Sequence, residues 1–180
     1  HPLRQIGLSF EVRESGVDED AHPPGDARTY VASLSERKAS AVAESFADAI
    51  IIGADTIVLV DGRALGKPVD RADASRMLEM LSGRTHEVYT GFTLLDRPSN
   101  RSVTAVELTR VTFRALSGGE IREYVSSGSP MDKAGAYGIQ DDMGAVFVER
   151  IEGCFYNVVG LPLMRLYVTL LEFQKQLDGL

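Results

Sequence analysis

The chain has 180 residues, of which 44% are hydrophobic, enough for one compact domain or two closely joined lobes. Its formal net charge of -7 disfavours a broad hold on DNA, RNA or an anionic membrane, so we expect no nucleic-acid and no membrane partner. The single cysteine, Cys154, excludes an internal disulfide and a cysteine zinc cluster, and no apolar run reaches the ~20 residues that span a bilayer, so we expect a cytoplasmic protein.

The first half of the chain predicts a strand, a long helix and a hairpin. Residues 8–12 alternate apolar and polar side chains, which is typical of a half-buried strand. Asp26 is a candidate N-cap for a helix that ends near residue 46. Two β-rich runs follow at 49–52 and 56–60, and the second ends at Asp61-Gly62, a strong hairpin turn signal.

The second half continues the alternation of helices and strands. Asp70 is a candidate cap for a helix that ends before Gly83, and Ser117 and Glu120 have the spacing of a capping box. Strands are predicted over 86–95, 103–115 and 145–151, and a last helix over about 162–177. These elements predict an α/β fold with a mixed, twisted sheet flanked by helices.

Residues 132–140 form a glycine-bearing segment between two of these elements. The segment contains a cation, an anion and an amide, with little reason to be packed as core. Gly135 and Gly138 do not form a known phosphate-loop or dinucleotide motif. We therefore expect an exposed loop that holds a ligand.

Asp55 is the first candidate for chemistry because it lies between two apolar β-rich runs. A carboxylate in a buried sheet is costly unless it meets a metal, a cation or water in a cleft. The alternative is an aspartate that bonds to a bulged backbone at Gly53. We favour a functional role, since a buried aspartate without a partner is rare.

Two lysines are candidate partners for this carboxylate or for phosphate. Lys38 falls on the apolar stripe of the long helix, between Leu34 and Val42, and its alternative is a lysine whose ammonium reaches out to water. Lys67 lies in the short turn 65–68, where it is either a point charge for phosphate or an ordinary solvated lysine.

Other polar groups carry weaker signals. The acidic run 18–20 is either solvated loop charge or, less commonly, part of a metal site. His86 has no second ligand at a fixed spacing and is more typical of a structural histidine. The sequence also lacks the Gly-x-Ser-x-Gly elbow of serine hydrolases.

Taken together and in order, these segments resemble the Maf family of nucleoside triphosphate pyrophosphatases. The resemblance covers essentially the whole chain. The main matching segments are Val17-Asp18-Glu19, Arg37-Lys38-Ala39, Gly53-Ala54-Asp55-Thr56, Leu65-Gly66-Lys67-Pro68, residues 81–86, residues 132–140 and residues 157–163.

The resemblance implies one domain over residues 1–180, with two lobes around a central cleft as in inosine triphosphate pyrophosphatases. It implies hydrolysis of a nucleoside triphosphate between the α and β phosphates, with a divalent cation, Mg²⁺ or Mn²⁺, in a homodimer that removes unwanted nucleotides. Asp55 would be the proton acceptor and a metal ligand, and Glu19 a second metal ligand. Lys38 and Lys67 would neutralise the phosphates. Thr56 and Gln140 would select the base.

The loop that ends at Gln140 resembles the branch of the family that acts on dTTP and UTP. The alternatives are a pyrophosphatase for 7-methyl-GTP or a modified nucleotide, and a nucleotide-binding regulator without catalysis. The family ordinarily opens with a strand and a Ser-x-Ser-Pro-Arg-Arg loop that no segment here matches. Either this loop lies upstream of His1, or the protein is truncated and is expected to be inactive. Asp141 and Asp142 replace a common glycine, which predicts extra negative charge near the base pocket.

Overall fold

A computed structural model describes residues 2–19 and 26–179, apart from the side chain of Asp142. These residues contain both helices and strands. The helices are α1 (Pro2–Gln5), α2 (Ala27–Ala43), α3 (Arg71–Leu81), α4 (Gly118–Ser126), α5 (Asp142–Phe147), α6 (Phe155–Val159) and α7 (Leu163–Leu177). The strands are β1 (Ala49–Val60), β2 (Arg63–Leu65), β3 (Thr85–Arg97), β4 (Ser102–Phe113) and β5 (Val148–Glu152). Two 3-10 turns, Ser129–Asp132 and Ala134–Ala136, lie between α4 and α5.

The five strands form one open antiparallel sheet in the order β2-β1-β3-β4-β5. The predicted hairpin joins β1 to β2, which pair from Val58 with Leu65 to Val60 with Arg63. Asp61 and Gly62 have φ angles of 50° and 73°, the left-handed conformation that a type I′ turn requires. The predicted α/β class and the hairpin are confirmed.

The chain divides into two compact units. The first unit comprises His1–Asp55, Thr90–Glu107 and Gly160–Leu180, and the second comprises Thr56–Tyr89 and Leu108–Val159. Strands β1, β3 and β4 each contribute residues to both units. In particular, β1 leaves the first unit after Asp55 and enters the second at Thr56.

Each unit has its own apolar core. In the first unit Ala39 and Ala43 of α2 pack with Ile51 of β1 and Leu95 of β3. In the second unit α3, α4 and residues 134–139 cover one side of the sheet strands, with Phe113 and Phe147 almost fully buried. Burial of such side chains stabilises a fold by about 1.5 to 3 kcal/mol each.

The predicted helix caps are confirmed. The side chain of Asp26 accepts a hydrogen bond from the backbone N–H of Thr29, and that of Asp70 accepts one from Asp73. Ser117 and Glu120 form both bonds of a capping box at the start of α4. Each cap satisfies a backbone donor that the helix itself leaves unpaired.

Two predicted strand positions are wrong. Residues 8–19 form neither helix nor strand, and Val12, assigned to a half-buried strand, is 73% exposed. The predicted strand at 145–151 begins only at Val148, because residues 142–147 form α5. The backbone N–H of Ala145 bonds to the carbonyl of Asp141 at 2.8 Å and so starts a helical turn there.

None of the helices in the described part of the chain is both long enough and apolar enough to cross a membrane.

Candidate active site

In the first unit, two of the predicted site residues, Asp55 and Glu19, contact the ammonium group of a third, Lys38. The Nζ atom of Lys38 lies 2.7 Å from Oδ1 of Asp55 and 2.7 Å from Oε1 of Glu19. The side chains of Lys38 and Asp55 are only 17% and 10% exposed, whereas that of Glu19 is 40% exposed. The structure therefore pairs the aspartate of the sheet with the lysine on the helical stripe.

This pairing depends on a close approach of α2 to β1. A Cβ atom at Gly53 would lie 2.3 Å from the carbonyl oxygen of Ser35 and 2.6 Å from the backbone nitrogen of Ala39. Only glycine leaves room for the helix backbone at this point. Strand β1 is continuous through Gly53, so the helix packs directly against the strand and the Lys38 side chain reaches Asp55.

The protonation of Lys38 follows from these contacts. Burial by itself would lower the pKa of the Lys38 ammonium, but its hydrogen bonds to Asp55 and Glu19 outweigh burial and raise the pKa above its usual value. Lys38 is therefore a cation at neutral pH. Its charge compensates the carboxyl groups on either side of it.

The same carboxyl groups can contribute to a metal site but do not complete one. Within residues 2–19 and 26–179, no group of three histidine, cysteine, aspartate or glutamate side chains could hold a metal ion. Asp55 and Glu19 could supply oxygen ligands, and Mg²⁺ is typically held by one or two carboxylates together with water and substrate phosphates. The pair fits that mode of binding. Asp20, the last member of the predicted acidic run, lies outside the described residues.

Lys67, Thr56 and Gln140 belong to the second unit. Lys67 lies in an exposed turn that the backbone links to the 132–140 segment, since the N–H of Gly135 bonds to the carbonyl of Gly66 at 3.0 Å. A hydrogen bond from Lys133 and, more weakly, the charge of Lys67 lower the pKa of Asp132. The structure thus groups the Lys67 turn with the segment that ends at Gln140.

The 132–140 segment is more buried than the sequence predicts. Ala136, Tyr137 and Ile139 are at most 5% exposed, so the expectation of little packing was wrong. The hydroxyl of Tyr137 lies 2.8 Å from Nε2 of His86, and burial raises the pKa of Tyr137. Gln140 is exposed at the end of this packed segment.

His86 has the structural role that the sequence favours. It is 1% exposed, and its ring makes edge contacts with Phe113 and Tyr137. Burial lowers the pKa of the imidazole to about 4, so the ring is neutral at pH 7.

The comparisons with known proteins agree with the resemblance that the motifs carry. A family model described as "Maf-like protein" matches residues 1–173 of the chain. The chain belongs to the Maf family.

Three similar proteins match this Maf chain over almost its whole length. One from Pelotomaculum thermopropionicum is 49% identical, over 95% of this chain and 89% of its own length. One from Salinibacter ruber is 51% identical, over 93% of this chain and 82% of its own length. One from Acetivibrio thermocellus is 49% identical, over 95% of this chain and 88% of its own length. Each of the three is named a dTTP/UTP pyrophosphatase.

The contacts of Asp141 in this Maf chain were not predicted from the sequence. The carboxylate of Asp141 accepts hydrogen bonds from Tyr124 and Ser129 and faces Lys133. The available signal was Tyr124, which lies on the apolar stripe of α4 but carries a hydroxyl that needs a partner when buried.

Proposed function

We propose that this Maf protein hydrolyses dTTP and UTP to the nucleoside monophosphate and pyrophosphate. The observation that carries the proposal is the half-buried Asp55 carboxylate held by Lys38, in a chain that shares about half its residues with named dTTP/UTP pyrophosphatases. A carboxylate fixed by one cation is suited to accept a proton from water.

Asp55 is the proton acceptor in this mechanism. A water oxygen attacks the α-phosphorus, the bond between that phosphorus and the bridging oxygen to the β-phosphate breaks, and pyrophosphate leaves. The proton from the water passes to the Asp55 carboxylate. The hydrogen bond from Lys38 holds that carboxylate in place.

The two lysines have different roles. An ammonium has three N–H donors, and Lys38 directs two of them to Asp55 and Glu19. Lys38 therefore acts mainly on Asp55 and has one donor left for a phosphate oxygen. Lys67 is an exposed point charge and neutralises phosphate directly.

We also propose that Asp55 and Glu19 hold a divalent cation, Mg²⁺ or Mn²⁺. When bound, such an ion withdraws charge from the phosphate oxygens and favours attack at phosphorus. A local cation and the two lysines outweigh the net charge of -7, because salt screens charges more than ~8 to 10 Å away. A homodimer and a cytoplasmic location stay predictions.

Base selection is assigned to Thr56 and Gln140. Gln140 ends a packed segment, and its exposed amide can both donate and accept hydrogen bonds. The pyrimidine edge of thymine or uracil offers both kinds of partner. The packed backbone before Gln140 supports a fixed position for the amide.

The test compares Asp55→Asn with Asp61→Asn in the full-length protein. Asp61 lies in the exposed β1–β2 turn, where Asn-Gly is an equally favourable sequence, so Asp61→Asn controls for the loss of one carboxylate. We expect Asp55→Asn to lower kcat for dTTP and UTP by roughly 10³-fold and Asp61→Asn to leave it unchanged. Pyrophosphate and orthophosphate are measured separately, with and without a chelator.

Three results would contradict the proposal. They are release of orthophosphate in place of pyrophosphate, full activity of Asp55→Asn, and a strong preference for a purine in a panel of triphosphates. Full activity in the presence of the chelator would contradict the metal assignment alone.

A further inference from the structure

The carboxylate of Asp141, the residue directly after Gln140, joins several segments of the second unit. Its Oδ2 atom accepts hydrogen bonds from the hydroxyl of Tyr124 on α4 at 2.9 Å and from the hydroxyl of Ser129 at 2.5 Å. The ammonium of Lys133 lies 3.4 Å from the same oxygen. One acidic side chain thus connects α4, the first 3-10 turn and the 132–140 segment.

These contacts close a tight turn around Gln140. The N–H of Asp141 bonds to the carbonyl of Gly138 at 3.0 Å, and the N–H of Gly138 bonds to the hydroxyl of Tyr124 at 3.1 Å. A Cβ atom at Gly138 would lie 2.6 Å from Oδ2 of Asp141 and 2.7 Å from Cε of Lys133. The carboxylate therefore packs against the backbone of the turn that carries Gln140.

The charge of Asp141 is partly compensated by Lys133, which also pairs with Asp132. The side chain of Asp141 is 20% exposed and that of Lys133 is 22% exposed, so solvent screens their attraction only in part. Lys133 also donates to the carbonyl of Ser129 at 2.6 Å and to Asp132 at 2.8 Å. The Oδ2 atom of Asp141 is thus used to hold the segment.

We propose that Asp141 is a positioning residue for base selection, which fixes the turn that presents Gln140 through Tyr124, Ser129 and Lys133. The proposal rests on the proposed function, because Gln140 selects the base only if the protein binds nucleoside triphosphates. It gives Asp141 a role in selectivity that acts through the position of Gln140. Loss of the Asp141 carboxylate should therefore change KM and the discrimination between bases, with little change in kcat.

The test uses Asp141→Ala, Asp141→Asn and Tyr124→Phe in the full-length protein, with Glu123→Ala as the matched control. Glu123 is an exposed carboxylate next to Tyr124 on α4. Steady-state kinetics with dTTP and dCTP give kcat, KM and the ratio of kcat/KM for the two bases. Hydrogen exchange of residues 135–145 measures the order of the turn independently of activity.

For Asp141→Ala we expect about a tenfold rise in KM for dTTP and about a tenfold loss of discrimination against dCTP, as loss of a charge-assisted hydrogen-bond group predicts. We expect kcat to change by less than about threefold, and exchange at residues 135–145 to accelerate by about tenfold. Asp141→Asn, which keeps an acceptor oxygen for Tyr124 and Ser129, should restore most of the discrimination. Tyr124→Phe should resemble Asp141→Ala, and Glu123→Ala should resemble the parent.

The results of these experiments distinguish failure of the positioning role of Asp141 from failure of the proposed function. If the parent releases pyrophosphate and Asp141→Ala keeps its KM and discrimination, the positioning role is overturned while the proposed function stands. Equal exchange in Asp141→Ala and the parent also overturns the positioning role. If the parent releases no pyrophosphate from any triphosphate, the proposed function fails and the role in selectivity fails with it.

Discussion

At the residue scale, two ion pairs of nearly equal length differ sharply in their surroundings. Lys38 and Asp55 are 2.7 Å apart with side chains 17% and 10% exposed, while Arg84 and Asp61 are 2.6 Å apart with side chains 54% and 66% exposed. Solvent screens the second pair and its long side chains lose entropy in forming it. The first pair is screened much less, and removal of one partner leaves the other charge half-buried.

We therefore predict different coupling energies from double-mutant cycles of unfolding. The cycle with Lys38→Met and Asp55→Asn should give about 2 kcal/mol, and the matched cycle with Arg84→Met and Asp61→Asn about 0.5 kcal/mol or less. Urea denaturation of the parent, the single variants and the double variants measures both. Equal couplings in the two cycles would show that burial does not strengthen the Lys38–Asp55 pair.

Sequence patterns identify some candidate site residues better than others. Lys38 and Asp55 stand out because each is a charged group at a position that the periodicity assigns to the interior, and an interior charge requires a partner. Asp141 does not stand out, because its partners come from α4, the first 3-10 turn and the segment before it. Side-chain contacts between such segments depend on the tertiary structure and leave no local pattern.

At the element scale, the approach of α2 to β1 determines whether Lys38 reaches Asp55. We predict that Gly53→Ala lowers the free energy of unfolding by about 1 to 3 kcal/mol, because its Cβ would lie 2.3 Å from the backbone of Ser35. The same displacement of α2 should reduce activity. Thermal or urea unfolding and a pyrophosphate assay measure the two effects.

Gly119→Ala is the control for Gly53→Ala. Gly119 lies in α4, and a new Cβ there would lie 3.8 Å from the hydroxyl oxygen of Ser117, which is an ordinary contact. Alanine favours the helix, so this variant should be as stable as the parent or more stable by about 0.5 to 1 kcal/mol. A loss of stability in Gly119→Ala similar to that in Gly53→Ala would argue against the steric explanation.

The elements that sequence patterns predict well are those with local signals. Helices α2, α3 and α4 begin at cap residues whose side chains bond within three positions, so the signal and the structure are both local. The strand predicted at residues 8–12 rested on alternation over a few residues, which does not establish a neighbouring strand to pair with. Helix α5 is six residues long, too short for periodicity to distinguish it from a strand.

At the scale of the whole molecule, His86 should dominate the first loss of stability on acidification. Its pKa is lowered to about 4 in the folded protein by burial, against about 6.5 for an exposed histidine. Between these values the unfolded chain binds a proton that the folded protein excludes. The free energy of unfolding therefore falls as pH decreases from 6.5 to 4, by about 3 kcal/mol from this group.

The carboxyl groups act at lower pH and in the same direction. A hydrogen bond from Arg114, followed by hydrogen bonds from Ser117, lowers the pKa of Glu120 to about 2. A carboxyl group with a lowered pKa stabilises the fold above its unfolded value of about 4.3 and loses that contribution as pH falls further. Between pH 6.5 and 5 the loss of stability due to His86 is therefore separated from that due to Glu120.

We predict that His86→Gln flattens the pH dependence of stability in this interval. The slope of the unfolding free energy against pH is proportional to the number of protons that the chain takes up on unfolding. This number should be lower by about one in His86→Gln than in the parent, because glutamine does not titrate. Urea denaturation at pH 7, 6 and 5 measures it, and His1 and His22 are present in both proteins, so their effects cancel. If His86→Gln does not fold, NMR titration of the parent still tests the lowered pKa of His86. The His86 ring should show no protonation down to pH 5.5. Protonation near pH 6.5, or equal slopes in both proteins, would contradict the assignment.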